Sequence, residues 1–298
     1  MSFSATDAAF EGFRIARRHP AAVSTLNTRV TPDHIAMAAA LVGLAGPQLT
    51  ALEAAASTGE PDPRQMMEMF TVLAPAYLLM LVLSAGYYAV MLPAIERSVF
   101  EEGSDRRGFL AFGRVELRHL GMVFALGAVL FGAYMAVAVV ISLIFTLLGM
   151  VAGPIVAALV AVALGLAAVF LMLWIASRFT LAGPAALREG GIGLSRSWAL
   201  SKGRSWPLLG GLIVSCLLAA VVSLLIVTIF AGVAALVGGV AVVGGVFNPN
   251  TSSLAAYFTP AMMGYTVAVA ISSALSFAIV AGYGASAYRQ IAGDGKVG

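Results

Sequence analysis

Two stretches of this chain contain no Asp, Glu, Lys or Arg: the 59 residues 119–177, between Arg118 and Arg178, and the 84 residues 205–288, between Arg204 and Arg289. A single helix over the shorter stretch would run to roughly 90 Å at 1.5 Å per residue. A bilayer's hydrocarbon core is only about 30 Å thick and is crossed by about 20 apolar residues. Each stretch must therefore fold back on itself and hold two spans and a turn. Only 10% of all residues are charged and 60% are hydrophobic, whereas a soluble domain carries about 25% charged residues. The fold class that follows is all-α: a polytopic membrane bundle of six transmembrane helices with short juxtamembrane amphipathic helices.

The spans read as Thr31–Leu52, Met69–Ala94, Leu120–Leu148, Pro154–Ser177, Pro207–Val237 and Tyr257–Tyr288. Thr31 and Pro32 read as the N-cap and first turn of span 1, and Pro47 is expected to kink it. Gly149 to Pro154 reads as the turn between spans 3 and 4. A charge-free, glycine-rich loop containing GGVFNPNTSS reads as the link between spans 5 and 6.

The basic residues orient these spans. Arg14, Arg17, Arg18 and Arg29 precede span 1. Arg97, Arg106, Arg107, Arg114 and Arg118 lie between spans 2 and 3. Arg178, Arg188, Arg196, Lys202 and Arg204 lie between spans 4 and 5, and Arg289 and Lys296 follow span 6. Only Arg64 falls on the other side, among Glu53, Glu60, Asp62 and Glu68. The positive-inside rule then makes both termini cytoplasmic. Trp174, Trp198 and Trp206 fall at the same boundary, where indole rings act as interface anchors. The N-terminal MSFSATDAAFEGFRIARRHP has no apolar core and does not read as a signal peptide. Lys202 and Lys296 are the only lysines against a large excess of arginine, a usage that suggests a GC-rich bacterial source. The expected location is thus a bacterial inner membrane.

The segments between spans resemble one another. AFEGFRIARRHP, GFLAFGRVELRHL and GIGLSRSWALSKGRSWP each read as a short amphipathic helix feeding a span. On the first, Glu11, Arg14 and Arg18 share one face and Ala9, Phe13 and Ala16 the other. Spans 2 and 4 both leave through P-A-x-x-R, as Pro93 to Arg97 and Pro184 to Arg188. The chain therefore reads as one integral membrane domain of three units, about 1–103, 104–191 and 192–298. Pro93 and Pro184 are expected to end or bend their helices, which would set Arg97 and Arg188 at headgroup depth.

Chemistry-bearing constellations are sparse. The spans as drawn hold no ionisable residue at mid-depth, where transporters and proton relays usually keep one. Glu101-Glu102-Gly103-Ser104-Asp105-Arg106 matches the EExxxR string of intramembrane proteases, but it falls in a polar loop. His19, His34 and His119 lie at span boundaries and read as interfacial residues rather than metal ligands. Gly282-Tyr283-Gly284 reads as small residues allowing close helix approach. Cys216 is the lone cysteine and reads as a small buried hydrophobe. No catalytic residue, metal or cofactor is called for. The net charge of +3 sits in juxtamembrane clusters, which points to anionic lipid headgroups rather than nucleic acid. The candidate headgroup or partner contacts are Arg14, Arg18, Arg97, Arg106, Arg107, Arg188, Arg196 and Lys202.

The stretch RFTLAGPAALREGGIGLSRSWALSKGRSWPLLGGL, from Arg178 to Leu212, is the most distinctive in the chain. Its Pro184, Glu189, Ser197-Trp198-Ala199-Leu200 and Trp206-Pro207-Leu208-Leu209-Gly210 resemble the glycerophosphoryl diester phosphodiesterase membrane-domain family and related six-span bacterial proteins. The N-terminal arm from Ala9 to Pro20 is similar to that family too. The resemblance implies a six-span module without catalytic residues of its own, because the family's phosphodiesterase activity belongs to a separate soluble barrel that this chain does not contain. Span 1 departs from the family pattern at Arg29 and Asp33. The expected function is a non-catalytic inner-membrane protein organising anionic lipid, or a membrane partner or second copy. The alternative is a passive channel or a lipid-translocating transporter.

Overall fold

The computed structural model describes residues 3–56, 63–100 and 109–293. Among them there is no strand. The helices in chain order are α1 (Ala5–Ala9), α2 (Glu11–Arg18), α3 (Pro20–Ala56), α4 (Pro63–Phe100), α5 (Arg114–Ala152), α6 (Pro154–Phe179), α7 (Ala182–Arg188), α8 (Leu194–Leu200), α9 (Ser205–Gly238), α10 (Val240–Phe247), α11 (Leu254–Tyr257) and α12 (Pro260–Ala292). Six of them, α3, α4, α5, α6, α9 and α12, are long and apolar enough to cross a membrane. The chain is an all-α bundle of the multi-pass membrane type.

The last long helix is the central one. α12 packs along α9 and also against α3, α4 and the short α2. Half (50%) of its most apolar window is buried, against 39% for α4, 6% for α6 and 0% for α5. Its buried face is built from alanine: Ala270, Ala274, Ala281 and Ala285 meet Ile15, Tyr87, Met91 and Ile95. Lipid tails are as apolar as leucine, so helices gain from one another mainly by close backbone approach. Gly211 of α9 is such a point, because a Cβ there would come 2.5 Å from the Tyr283 ring of α12. α5 and α6 form a hairpin that pairs mostly with itself and joins the bundle through α4, α7 and α9.

Several sequence expectations change. α3 starts at Pro20, eleven residues before Thr31. Proline suits a first helical position because its missing N–H has no intrahelical partner there anyway. The polar residues that follow stay helical by bonding back to the helix: the Thr28 hydroxyl donates to the Thr25 carbonyl at 2.8 Å and the Thr31 hydroxyl to the Asn27 carbonyl at 3.1 Å. Pro32 and Pro47 both lie inside α3, and neither ends it. Pro93 likewise lies inside α4, which continues to Phe100. Pro184 does not end a helix either: α6 already stops at Phe179, and Pro184 sits within α7. The expected second amphipathic helix is not separate, because residues 109–113 are non-helical and Arg114 begins α5 itself. The glycine-rich link after α9 contains α10, entered through Gly239 at φ 79°, a left-handed value that glycine adopts without strain.

Candidate functional site

The backbone N–H of Ser4 donates to the Gln290 side-chain oxygen at 2.8 Å, so the N-terminal arm meets the last turns of α12 at one end of the bundle. Buried charge gathers at this same end. Pro93 to Val99 of α4, Ala182 to Ala186 of α7 and Ala281 to Tyr288 of α12 are all buried there. α7 lies directly on α4: a Cβ on Gly183 would overlap the Glu96 carboxylate. The Tyr283 hydroxyl donates to the Leu208 carbonyl at 2.7 Å, the Tyr288 hydroxyl to Glu189 at 2.5 Å and Arg289 to the Val99 carbonyl at 3.1 Å.

A buried carboxylate–imidazole contact and a buried ion pair join α4 to the first turns of α5. Glu96 Oε2 lies 2.9 Å from His119 Nε2, and the His119 side chain is fully enclosed. The other imidazole nitrogen, Nδ1, faces the Val115 carbonyl at 3.0 Å. Beside this pair, Arg97 Nη2 meets Glu116 Oε1 at 2.5 Å, and Arg97 Nη1 donates to the Phe109 carbonyl at 3.2 Å. Arg97 is therefore an internal tie, not a headgroup contact. Removing one partner of such a pair strands the other charge in a low-dielectric interior.

Arg178, one of the basic residues between spans 4 and 5, is also internal. Its guanidinium stands 4.2 Å from the Trp198 ring centroid and 5.4 Å from that of Trp174. It donates to Ser205 Oγ at 2.7 Å and to the Ser201 carbonyl at 3.2 Å. Trp174 and Trp198 thus hold a cation as well as facing outward. Trp206 packs on Phe170 with ring centroids 5.9 Å apart and is largely exposed.

The N-terminal arm is seated on the bundle. α1 buries Ala8 and Ala9, while α2 buries Glu11, Gly12 and Ile15. The buried face is therefore not the Ala9–Phe13–Ala16 face of the helical wheel, and Phe10 and Phe13 face outward. A Cβ on Gly12 would overlap the Ile279 backbone of α12, so glycine alone lets the arm reach its seat. The enclosed Glu11 carboxylate bonds Arg14 at 2.9 Å and lies 3.9 Å from Arg289. Arg14 also pairs with Asp7. The Asp7 and Glu11 bonds raise the Arg14 pKa, keeping it charged at every accessible pH. Phe10, Phe13, Arg14, Arg17 and Arg18 together wall an outward-facing cavity of about 360 Å³.

The other candidate contacts separate. Arg188 stacks on the Phe100 ring at 5.2 Å. Arg196 pairs with Glu189 at 2.8 Å, and Lys202 is exposed. Burial pushes the Glu189 carboxyl up, but the Tyr288 hydroxyl and Arg196 outweigh it and hold it below the ordinary carboxylate value. Arg106, Arg107 and the EExxxR string lie outside the described residues.

One cluster escaped the sequence reading. With α3 starting at Pro20, Asp33 and His34 lie about 20 Å along the helix from its N-terminal end, and three and four residues inside its apolar part, which starts at Val30. His34 Nε2 meets Ser273 Oγ of α12 at 3.1 Å, and Nδ1 meets the Val30 carbonyl at 3.0 Å. Its ring stands edge-on to Tyr87 of α4. Asp33 and Tyr87 both line a cavity of about 800 Å³ between α3 and α4. The threonines spaced at helical intervals before Asp33 were the available signal that the helix begins early.

Among the described residues no group of three His, Cys, Asp or Glu side chains is placed to hold a metal. Comparison with protein-family models, with curated proteins and with solved structures finds no match to this chain.

Proposed function

We propose that this chain is a non-catalytic membrane module that gathers anionic lipid at the end of the bundle carrying both termini, and that this end is cytoplasmic in a bacterial inner membrane. The supporting observation is the arm cavity. Arg17 and Arg18 are exposed there beside two outward aromatic rings, and the arm beneath them is fixed by buried Glu11 and Gly12. A basic rim with aromatic rings suits a phosphate-bearing headgroup at the boundary of an acyl layer. A channel or translocating protein needs a polar path. The charged end is instead filled by fully buried Tyr283, Ile95, Leu181 and Leu208. A second copy or a membrane partner would have the bare α5–α6 hairpin to lie against.

The deciding experiment is lipid retention. The purified protein in nanodiscs of mixed phosphatidylglycerol and phosphatidylcholine should retain the anionic lipid, and Arg17→Gln with Arg18→Gln should remove that preference. Equal retention of both lipids by the unaltered protein overturns the reading. Reporter fusions after Ser104, Gly190 and Gly298 should be cytoplasmic, and those after Glu60, Met150 and Asn250 periplasmic.

A further inference from the structure

Arg178 is a buried cation without an anion. It is 8% exposed, and the stretch around it, from Trp174 to Ser205, is described throughout. Nη1 makes both of its hydrogen bonds, to Ser205 Oγ and the Ser201 carbonyl. Both acceptors are neutral, and no carboxylate of the described residues pairs with the guanidinium. Glu189 is the only acidic residue between Arg178 and Arg289, and it is taken by Arg196 and the Tyr288 hydroxyl. Nη2 bonds nothing among the described residues, and it reaches the surface: Nε is the one nitrogen of this side chain that is both enclosed and unbonded.

The position adds more positive charge. Ser205 is the first residue of α9, a helix of 34 residues, and a helix N-terminus carries about half a positive charge. No side chain caps it. The Ser205 and Trp206 N–H groups, two of the orphan donors of a first turn, have no acceptor among the described residues. Lys202 and Arg204 are exposed and stand in the turn from Ser201 to Ser205, which Arg178 clamps at both ends. A guanidinium, two further cations and a bare helix end thus share one place, and buried charge without a counter-ion is costly. The faces of Trp174 and Trp198 offset part of that cost. They supply no acceptor for Nη2 or for the helix end. An anion with several oxygens supplies both the charge and the acceptors. Trp198 and Trp206 are exposed beside this place, and tryptophan marks the level of lipid headgroups.

We propose that the start of α9 binds a dianionic phosphomonoester, with Arg178 Nη2 and the Ser205 and Trp206 N–H groups donating to its oxygens and Lys202 and Arg204 balancing its charge. Helix N-termini are general phosphate sites. A phosphomonoester brings up to two charges and three strong acceptor oxygens, which suits three cations and three open donors better than a singly charged diester does. The same chemistry comes from the head of phosphatidic acid in the membrane or from soluble phosphate outside it. The site uses no residue of the arm cavity and holds whether or not the arm gathers anionic lipid.

The test uses the full chain in two kinds of nanodisc. In equal parts of phosphatidic acid, phosphatidylglycerol and phosphatidylcholine, native mass spectrometry reads retention of phosphatidic acid over phosphatidylglycerol. A lipid source gives a ratio of about tenfold or more, the scale of one added charge-assisted contact. In phosphatidylcholine alone, calorimetric titration with inorganic phosphate reads the soluble source. Lys202→Gln with Arg204→Gln, both at the surface, should lower whichever binding is seen by about fivefold or more. Arg178→Lys, which keeps the charge and loses Nη2, should lower it as well. Arg17→Gln with Arg18→Gln should leave it unchanged while removing the preference for phosphatidylglycerol over phosphatidylcholine, so the two sites fail separately. Neither a phosphatidic acid preference nor phosphate binding in the unaltered protein overturns the proposal, even if Arg178→Lys does not fold. So does binding that survives undiminished in folded Lys202→Gln with Arg204→Gln, or binding that the arm substitutions abolish.

Discussion

The charged end and the α5–α6 hairpin are built from the same apolar helices, yet one is interlocked and the other is bare. At the charged end Glu96, Arg97, Glu116, His119 and Arg178 are buried and bonded across helices. On the hairpin, added Cβ atoms at Gly127, Gly132 and Gly165 would meet nothing within 4 Å. At its tip Met150, Val151 and Ile155 are 81%, 87% and 76% exposed. An apolar side chain facing lipid loses nothing by staying outside, so hydrophobicity cannot dictate which helix meets which. Specification passes to groups that lipid cannot satisfy, namely ion pairs, hydroxyls and glycine contacts, and these concentrate at the charged end.

The largest test of this contrast is a truncation in each region. Glu116→Ala leaves the Arg97 guanidinium buried without its carboxylate and should cost about 3–5 kcal/mol, read as a lower midpoint for unfolding in mixed micelles. Leu147→Ala on the hairpin should stay within about 0.5 kcal/mol. Equal losses at the two positions would erase the distinction. A methyl group added at glycine sharpens it by sign. Gly12→Ala pushes a Cβ into the Ile279 backbone and should destabilise by about 1–3 kcal/mol. Gly132→Ala meets open space and should be neutral or stabilising by up to about 1 kcal/mol, the helix-propensity difference. Smaller again is Tyr283→Phe, which removes one hydrogen bond to the Leu208 carbonyl and should cost about 1 kcal/mol.

The smallest effect is a pH dependence. The Glu189 carboxyl is held below its ordinary value of 4.5, so in the unfolded chain it takes up a proton at higher pH than in the folded one. Its contribution is therefore complete above about 4.5 and is lost as pH falls through the lower folded value. Glu189 is partly solvated, so the effect should be no more than a few tenths of a kcal/mol. The stability difference between the unaltered protein and Tyr288→Phe should be constant near neutral pH and shrink in acid. A difference that grows in acid would have the wrong sign.

Much of the fold was legible because charge and hydropathy report directly on membrane insertion. The helical class and the six spans came from the two charge-free stretches and the places where arginine resumes. The site was less legible because an arginine at a span end looks the same in sequence whether it faces headgroups or a carboxylate. Arg97 and Arg178 turned inward because Glu116, Ser201 and Ser205 are brought to them by other helices, at separations local patterning does not encode. The start of the first long helix was placed too late because Pro32 read as a first-turn proline. Pro20 has the same property, and the threonines after it make the early start workable.

The seating of the N-terminal arm fixes an order of events in biogenesis. Ser4 and Gln290 are 286 residues apart in the chain. At about 5–20 residues per second of synthesis, the arm waits roughly 15 to 60 s before its docking surface on α12 exists. Gly12 and Glu11 therefore lack their partners on α12 until the last span has been made. Closing the arm onto Ile279 and Arg289 is the step that marks the last span as home.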